Sequence, residues 1–194
     1  MLSKEKKQDP RVTRTRHYLM QSLCDLMKEK EFDQITVQEI TERAIINRAT
    51  FYAHFDDKYK LLENMVHRSF QEMLESKVAI SEGLTHQNLR LLTLVTCEFL
   101  VKFHTDHTPG QESELLPVER EVRSIVSRLV TDCVAHLPHS QSGIPAETIS
   151  IWVSSIIFGS ALQWLHSRST LSAEEITDQI MALTMNGLNP VLAH

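Results

Sequence analysis

Glycine and proline are scarce, at five and six in 194 residues. That excludes collagen-like and low-complexity chains and argues against a turn-rich β-sandwich. The three cysteines, Cys24, Cys97 and Cys133, are scattered. An odd, dispersed set gives no disulfide framework and suits a reducing compartment, and each reads as a small buried hydrophobe. Met1 to Pro10 is polar and charged, with no apolar stretch of a secretory leader, so the expected location is cytoplasmic. An excess of positive charge is also missing: Lys+Arg is 20 against 25 Asp+Glu, a net −5. Contact with nucleic acid would therefore need a local basic patch. No Gly-rich phosphate loop, nucleophile elbow or recognisable pair of acids occurs, so the chain does not read as an enzyme and implies no cofactor.

What is present is a full complement of Leu, Ile, Val and Phe, with 42% apolar residues overall. That is enough to exclude disorder as the main state. Charge is unevenly placed. Residues 1–60 carry twelve Lys/Arg and ten Asp/Glu, and the remainder eight and fifteen. Lys4, Lys6, Lys7, Arg11, Arg14 and Arg16 form a basic N-terminal arm in front of an acidic body, a pattern of chains that touch phosphate at one end. From Thr148 to Ser167 there is no charged residue over membrane-spanning length. Eight of those twenty residues are polar, however, so a buried helix fits better than a span, and no membrane partner is expected.

Apolar residues recur at three and four almost throughout, which predicts an all-α chain. The first helix should start at Asp9-Pro10, carry Val12, Leu19, Leu23 and Leu26, and end near Lys30. Thr36-Val-Gln-Glu39 is a capping box opening a second helix. After a short turn at Ile45-Ile46, Asn47 caps a third helix that carries Phe51 and Phe55. Asp56 or Asp57 caps a fourth, striped by Leu62, Val66, Phe70 and Met73. Leu89, Leu92, Phe99 and Phe103 mark a fifth, and His104 to Gln111 reads as a loop. A stripe from Leu115 to Cys133 has Pro117 in its first turn. Leu137 to Gly143 is a second loop. Pro145 starts the uncharged helix. Ser172-Ala-Glu-Glu175 opens the last helix, which should end about Asn186. His104-x-x-His107 and His136-x-x-His139 have metal-ligand spacing but no evident Cys or carboxylate partner, so no metal site is expected.

Residues 36–58 carry the most information. Two short capped helices joined by a three-residue turn make the helix-turn-helix plan. On the second, Phe51 and Phe55 take the apolar burden, while Arg48, Thr50, Tyr52 and His54 project elsewhere. A guanidinium, a hydroxyl, a phenol and an imidazole can all meet base edges or phosphates. No acidic residue lies between Ala44 and Phe55 to repel them.

Thr36-Val-Gln-Glu-Ile-Thr-Glu-Arg-Ala, Asn47-Arg-Ala-Thr-Phe-Tyr-Ala-His-Phe and the following Lys58 resemble the DNA-binding domain of TetR-type transcriptional regulators, over roughly residues 11–66. The resemblance implies a three-helix DNA-binding domain in residues 1–56 and a helical dimerisation and effector-binding domain in 57–194. It implies DNA contacts from Thr36, Asn47, Arg48, Ala49, Thr50, Tyr52, His54 and Lys58, the last meeting phosphate. Two positions depart from the family pattern: Ile45 replaces a usual Gly, and Asn47 a usual Ser or Thr. Isoleucine enters the left-handed conformation only at a cost, which predicts a slightly altered turn.

Trp152 and Phe158-Gly-Ser-Ala-Leu-Gln-Trp164 resemble the closing helices through which such regulators form homodimers. Trp152, Ile156, Gly159, Gln163 and Trp164 are the expected interface. Phe70, Phe99, Phe103 and Ile125 are the expected lining of a pocket for a largely apolar small-molecule effector. The implied function is a regulator on a palindromic double-stranded operator, a repressor released by its effector. The alternatives are an activator of the same family, or a helical protein–protein adaptor without DNA binding.

Overall fold

The computed structural model describes residues 9–77, 85–106, 116–135, 144–167 and 169–192, which hold eight α-helices and no strand. They are α1 (Pro10–Met27), α2 (Val37–Ala44), α3 (Arg48–Tyr52), α4 (Lys58–Lys77), α5 (His86–Asp106), α6 (Leu116–Ala135), α7 (Ala146–His166) and α8 (Ala173–Leu192). A 3₁₀ turn, Phe32–Gln34, joins α1 to α2. The chain divides into two compact units, residues 1–65 with 106–117, and residues 66–105 with 118–194.

In the first unit the helix ends follow local chemistry. Asp9 accepts from the Arg11 amide at 2.9 Å, and Pro10 occupies the first turn of α1, where a missing N–H costs nothing. α1 stops at Met27, a turn earlier than its periodicity predicts, and the chain folds into the 3₁₀ turn. The Asp57 carboxylate accepts the Lys60 amide at 2.8 Å, which settles which aspartate caps α4. Leu19, Leu23, Phe32, Ile35, Ile40, Phe51, Phe55 and Leu61 form the core, each 5% exposed or less.

In the second unit α5 is buried along most of its length, from Asn88 and Leu89 to Phe103. The hydroxyls of Thr93 and Thr96 stay satisfied by donating to the carbonyls of Leu89 and Leu92 at 2.7 Å. α5 continues through His104 to Asp106, where the sequence reads as loop. Arg90 donates to Glu174 at 2.7 Å and to Asp178 at 2.9 Å, joining α5 to α8. Lys77 pairs with Glu98 at 2.6 Å, joining α4 to α5. Cys97 is fully buried, and burial pushes its thiol up to about 11; Cys24 and Cys133 are half-buried. Ser172 and Glu175 make the expected capping box, with the Ser172 amide donating to Glu175 at 2.8 Å. α8 runs on to Leu192, past the end expected near Asn186.

α7 has one packed face and one bare face. Ile149, Val153, Ile157, Phe158 and Ala161 are buried, and Ser150 and Ser154 bond back to carbonyls one turn earlier. The opposite face leaves Ile151 and Trp152 more than half exposed. By length and composition α7 is long and apolar enough to cross a membrane, and its buried face is the one packed within this unit.

His104 lies on α5, and the other three histidines of the two His-x-x-His pairs lie outside the described residues, as do Lys4, Lys6 and Lys7. Among the described residues no group of three His, Cys, Asp or Glu could hold a metal ion.

Candidate nucleic-acid interface

The first element is the cap of α2. Thr36 Oγ1 accepts the Glu39 amide at 3.2 Å, and Glu39 accepts the Thr36 amide and hydroxyl, each at 2.9 Å. Lys30 also bonds the Glu39 carboxylate. The ammonium, then the Thr36 donors, hold the Glu39 carboxyl down to about 2. The Thr36 hydroxyl is thus already donor and acceptor within its own helix end.

The second element is the turn. Ile45 adopts φ 55° and ψ 44°, the left-handed conformation. Its amide donates to the Glu42 carbonyl at 3.1 Å, and the Ile46 amide to the Thr41 carbonyl at 2.9 Å. These are the two bonds of a Schellman motif, the usual way to end a helix with glycine. The altered turn expected from Ile45 does not occur: the two bonds hold the glycine geometry with an isoleucine in it.

The third element is α3. The Asn47 side chain accepts the Ala49 amide at 2.8 Å. α3 ends at Tyr52, so Phe55 lies beyond it, while its amide still reaches the Phe51 carbonyl at 2.9 Å. Phe51 is fully buried and anchors the inner face. Asn47, Arg48, Ala49 and Tyr52 are exposed, and Thr50 and His54 are half-buried. The Tyr52 ring stands edge to face against Phe51 at 5.4 Å, leaving its phenol outward at 50% exposure. Arg16 of α1 lies over the Phe55 ring at 5.0 Å and donates to the His54 carbonyl at 3.5 Å, tying the chain after α3 back to α1.

The cations of this unit fall into two groups. Arg43 forms a two-pronged pair with Glu29 at 2.6 and 2.7 Å; Lys28 pairs with Asp25, Lys30 with Glu39 and Lys60 with Glu63. Arg11, Arg14 and Arg48 are exposed and make no ion pair among the described residues. The structure gives Lys58, expected at phosphate, partners within its own unit. Its ammonium donates to the carbonyls of Phe32, Asp33 and Ile35, each at 2.9 Å, and lies 4.7 Å from the centre of the Phe32 ring. An ammonium has three donors, and all three are spent on the end of the 3₁₀ turn. Neither this role nor that of Arg16 is visible in the sequence, since both join segments far apart in the chain.

In the second unit, Phe70, Phe99, Phe103 and Ile125 are all buried. Phe70 meets Phe99 edge to face at 5.3 Å, and Phe99 stacks on Phe103 at 6.0 Å. Trp152, Ile156, Gly159 and Gln163 lie on the bare face of α7. Trp164 is half-buried and donates from Nε1 to the Leu171 carbonyl at 3.2 Å, closing the α7–α8 turn. A shallow cavity of about 460 Å³ beside this face is lined by Ser155, Gly159, Ser160, Gln163 and Trp164, among others.

Residues 19–65 match the family described as bacterial regulatory proteins, tetR family. An uncharacterized HTH-type transcriptional regulator, YxbF of Bacillus subtilis (strain 168), is 42% identical over 73 residues. That alignment covers 37% of this chain and 19% of the relative, so the chain spans under a fifth of the relative's length. Among solved structures, a TetR-family regulator from Syntrophomonas wolfei is similar over 90% of this chain and 94% of its own, with TM-score 0.61 and 15% identity. RolR, solved with its ligand resorcinol, is similar over 91% of this chain and 88% of its own, with TM-score 0.55 and 15% identity. At such identities these two likenesses speak for the fold.

Proposed function

We propose that the chain is a TetR-type regulator that binds duplex DNA sequence-specifically through α3 and the exposed cations of its first unit. The single observation that carries the reading is the sorting of charge. Most cations of the unit are held by acids or carbonyls, while Arg11, Arg14 and Arg48 are left exposed, and α3 offers Thr50, Tyr52 and His54 with no acid beside them. Arg48 and Thr50 read base edges; Tyr52 and His54 meet phosphate or adjacent bases; Asn47 and Ala49, at the helix start, lie against the backbone.

Two copies then place their α3 helices in successive major grooves of a palindromic operator, about 34–36 Å apart. The bare face of α7, with Trp152, Ile156, Gly159 and Gln163, and Leu183 of α8, 68% exposed, supports a two-fold dimer. Leaving that area open to water is unfavourable for a monomer. A largely apolar effector, of the size class of the resorcinol bound by RolR, binds near Phe70, Phe99, Phe103 and Ile125 and lowers operator affinity, so the protein acts as a cytoplasmic repressor. A coupling of about 1–3 kcal/mol suffices, and operator must weaken effector binding by the same factor.

A salt titration against genomic fragments tests the reading. Three to five phosphates neutralised per subunit give a slope of log K against log salt of about −5 to −9 for the dimer. A flat slope, or no binding at low salt, overturns it. Compounds found by thermal shift that leave operator affinity unchanged are not effectors.

A further inference from the structure

Ile45 combines two unfavourable features. Its backbone is left-handed at φ 55°, the one positive φ on a non-glycine residue among the described residues. Side chains branched at Cβ tolerate that conformation worst. Its side chain is also 94% exposed. Among the described residues of the first unit, the other large apolar side chains that stand exposed are Tyr18, Tyr52 and Tyr59, each with a polar hydroxyl; Ile45 is the aliphatic one. Glycine would remove both costs and keep the Schellman bonds, which use only main-chain atoms. Among the described residues nothing uses this side chain. A strained, bare residue of this kind points to a contact made elsewhere.

Its place narrows the partner. Ile45 stands two residues before Asn47, the cap of α3, in a stretch without acids. Residues at the start of a recognition helix are those that reach base edges. The major groove offers one apolar group, the thymine 5-methyl, and the deoxyribose faces lie beside it.

We propose that Ile45 is a specificity-determining residue that packs on the apolar surface of the operator, with the thymine 5-methyl as its contact. The proposal rests on the DNA-binding reading above. It requires the turn to sit against the duplex, which Gly at this position would allow but would not exploit.

The test uses the full-length dimer and an operator selected with the wild-type chain. Ile45→Gly should melt at a higher temperature yet bind this operator about 5- to 50-fold more weakly, as expected for losing burial of an aliphatic side chain. Its salt slope should not change, because no phosphate contact is lost. Ile45→Asn, which also tolerates the left-handed turn but is less mobile than glycine, should lose affinity likewise, and Ile45→Val should keep most of it. Replacing thymines of the operator one at a time by deoxyuridine removes single methyls. At one position per half-site this should weaken the wild type about three- to fivefold and leave Ile45→Gly unaffected. If Gly and Asn weaken binding and no deoxyuridine distinguishes them from the wild type, the contact is with deoxyribose and the thymine assignment is wrong. If Ile45→Gly binds the operator as tightly as the wild type, the proposal is overturned while the DNA-binding reading stands. If the wild type itself binds no duplex, both fall.

Discussion

Lys58 and Phe32, twenty-six positions apart, are joined twice: the ammonium lies 4.7 Å from the ring centre and donates to the same residue's carbonyl at 2.9 Å. With the Asp33 and Ile35 carbonyls it forms a cationic plug in the end of the 3₁₀ turn, immediately before the cap of α2. Lys58→Met keeps the apolar stem but leaves three carbonyl acceptors, two of them partly buried, without their charged donor. Hydrogen bonds to a charged group are worth about 1.5–3 kcal/mol, so a loss of stability of about that size is expected in denaturant unfolding. The salt slope of DNA binding, measured where the variant is folded, should match the wild type. A slope shallower by about one per subunit would show that Lys58 touches phosphate after all.

Arg48 and Tyr52 flank Phe51 on the outer side of α3, one exposed and without an ion pair among the described residues, the other half in water. Their removal should be felt differently. Arg48→Ala should cost about 1–3 kcal/mol on the preferred operator and little on variants altered at the base it reads, so that discrimination at that position disappears. Thr50→Ala should alter preference at a neighbouring base. Tyr52→Phe should weaken all sequences similarly. Competition titrations on an operator with each base pair changed in turn distinguish these outcomes; a uniform loss for Arg48→Ala would assign it to phosphate.

Acid should loosen the start of α2. The Glu39 carboxyl sits at about 2 because Lys30 and the two Thr36 donors hold its charged form, against an ordinary 4.5. A depressed carboxyl contributes stability above its unfolded value and loses it as pH falls through the folded one. The window is therefore from about 4.5 down to about 2. Glu175 of the second capping box is lowered in the same direction by the Ser172 amide and hydroxyl. Glu39→Gln should melt below the wild type at neutral pH, and the two melting curves should converge as pH approaches 2. Parallel melting profiles across that range would contradict the assignment.

Features resting on three or four adjacent residues were legible in the sequence. Asp9, Thr36, Asn47 and Ser172 all cap the helices their local pattern predicts, because a cap needs only its own turn. The partners of Lys58 are not legible there, because they lie in a segment upstream whose 3₁₀ turn has no periodic signal. Ile45 was judged by the cost of its conformation. The structure accepts that cost, and a rule about averages cannot show where strain is retained. Hydropathy along α7 counts apolar residues without saying what they face: Val153 and Ile157 face the unit's own core, while Trp152 and Ile156, expected at an interface between copies, stand exposed.

Gly159 offers the sharpest test of what covers that face. It lies in the interior of α7, where glycine costs about 1 kcal/mol relative to alanine. A Cβ built there meets nothing within 4 Å in the single chain, so the folded chain gives no reason for the glycine. Close approach of a second copy would give one. Gly159→Ala should therefore raise the stability of dissociated chains while weakening their association. Gly159→Glu should leave helical content intact and yield monomers at micromolar concentration in sedimentation velocity. Monomers can engage a single half-site, so their salt slope should fall to about half the wild-type value, roughly −2.5 to −4.5. If Gly159→Glu sediments as the wild type does and binds operator equally well, the bare face of α7 is not the dimer interface, and the pairing must use another surface.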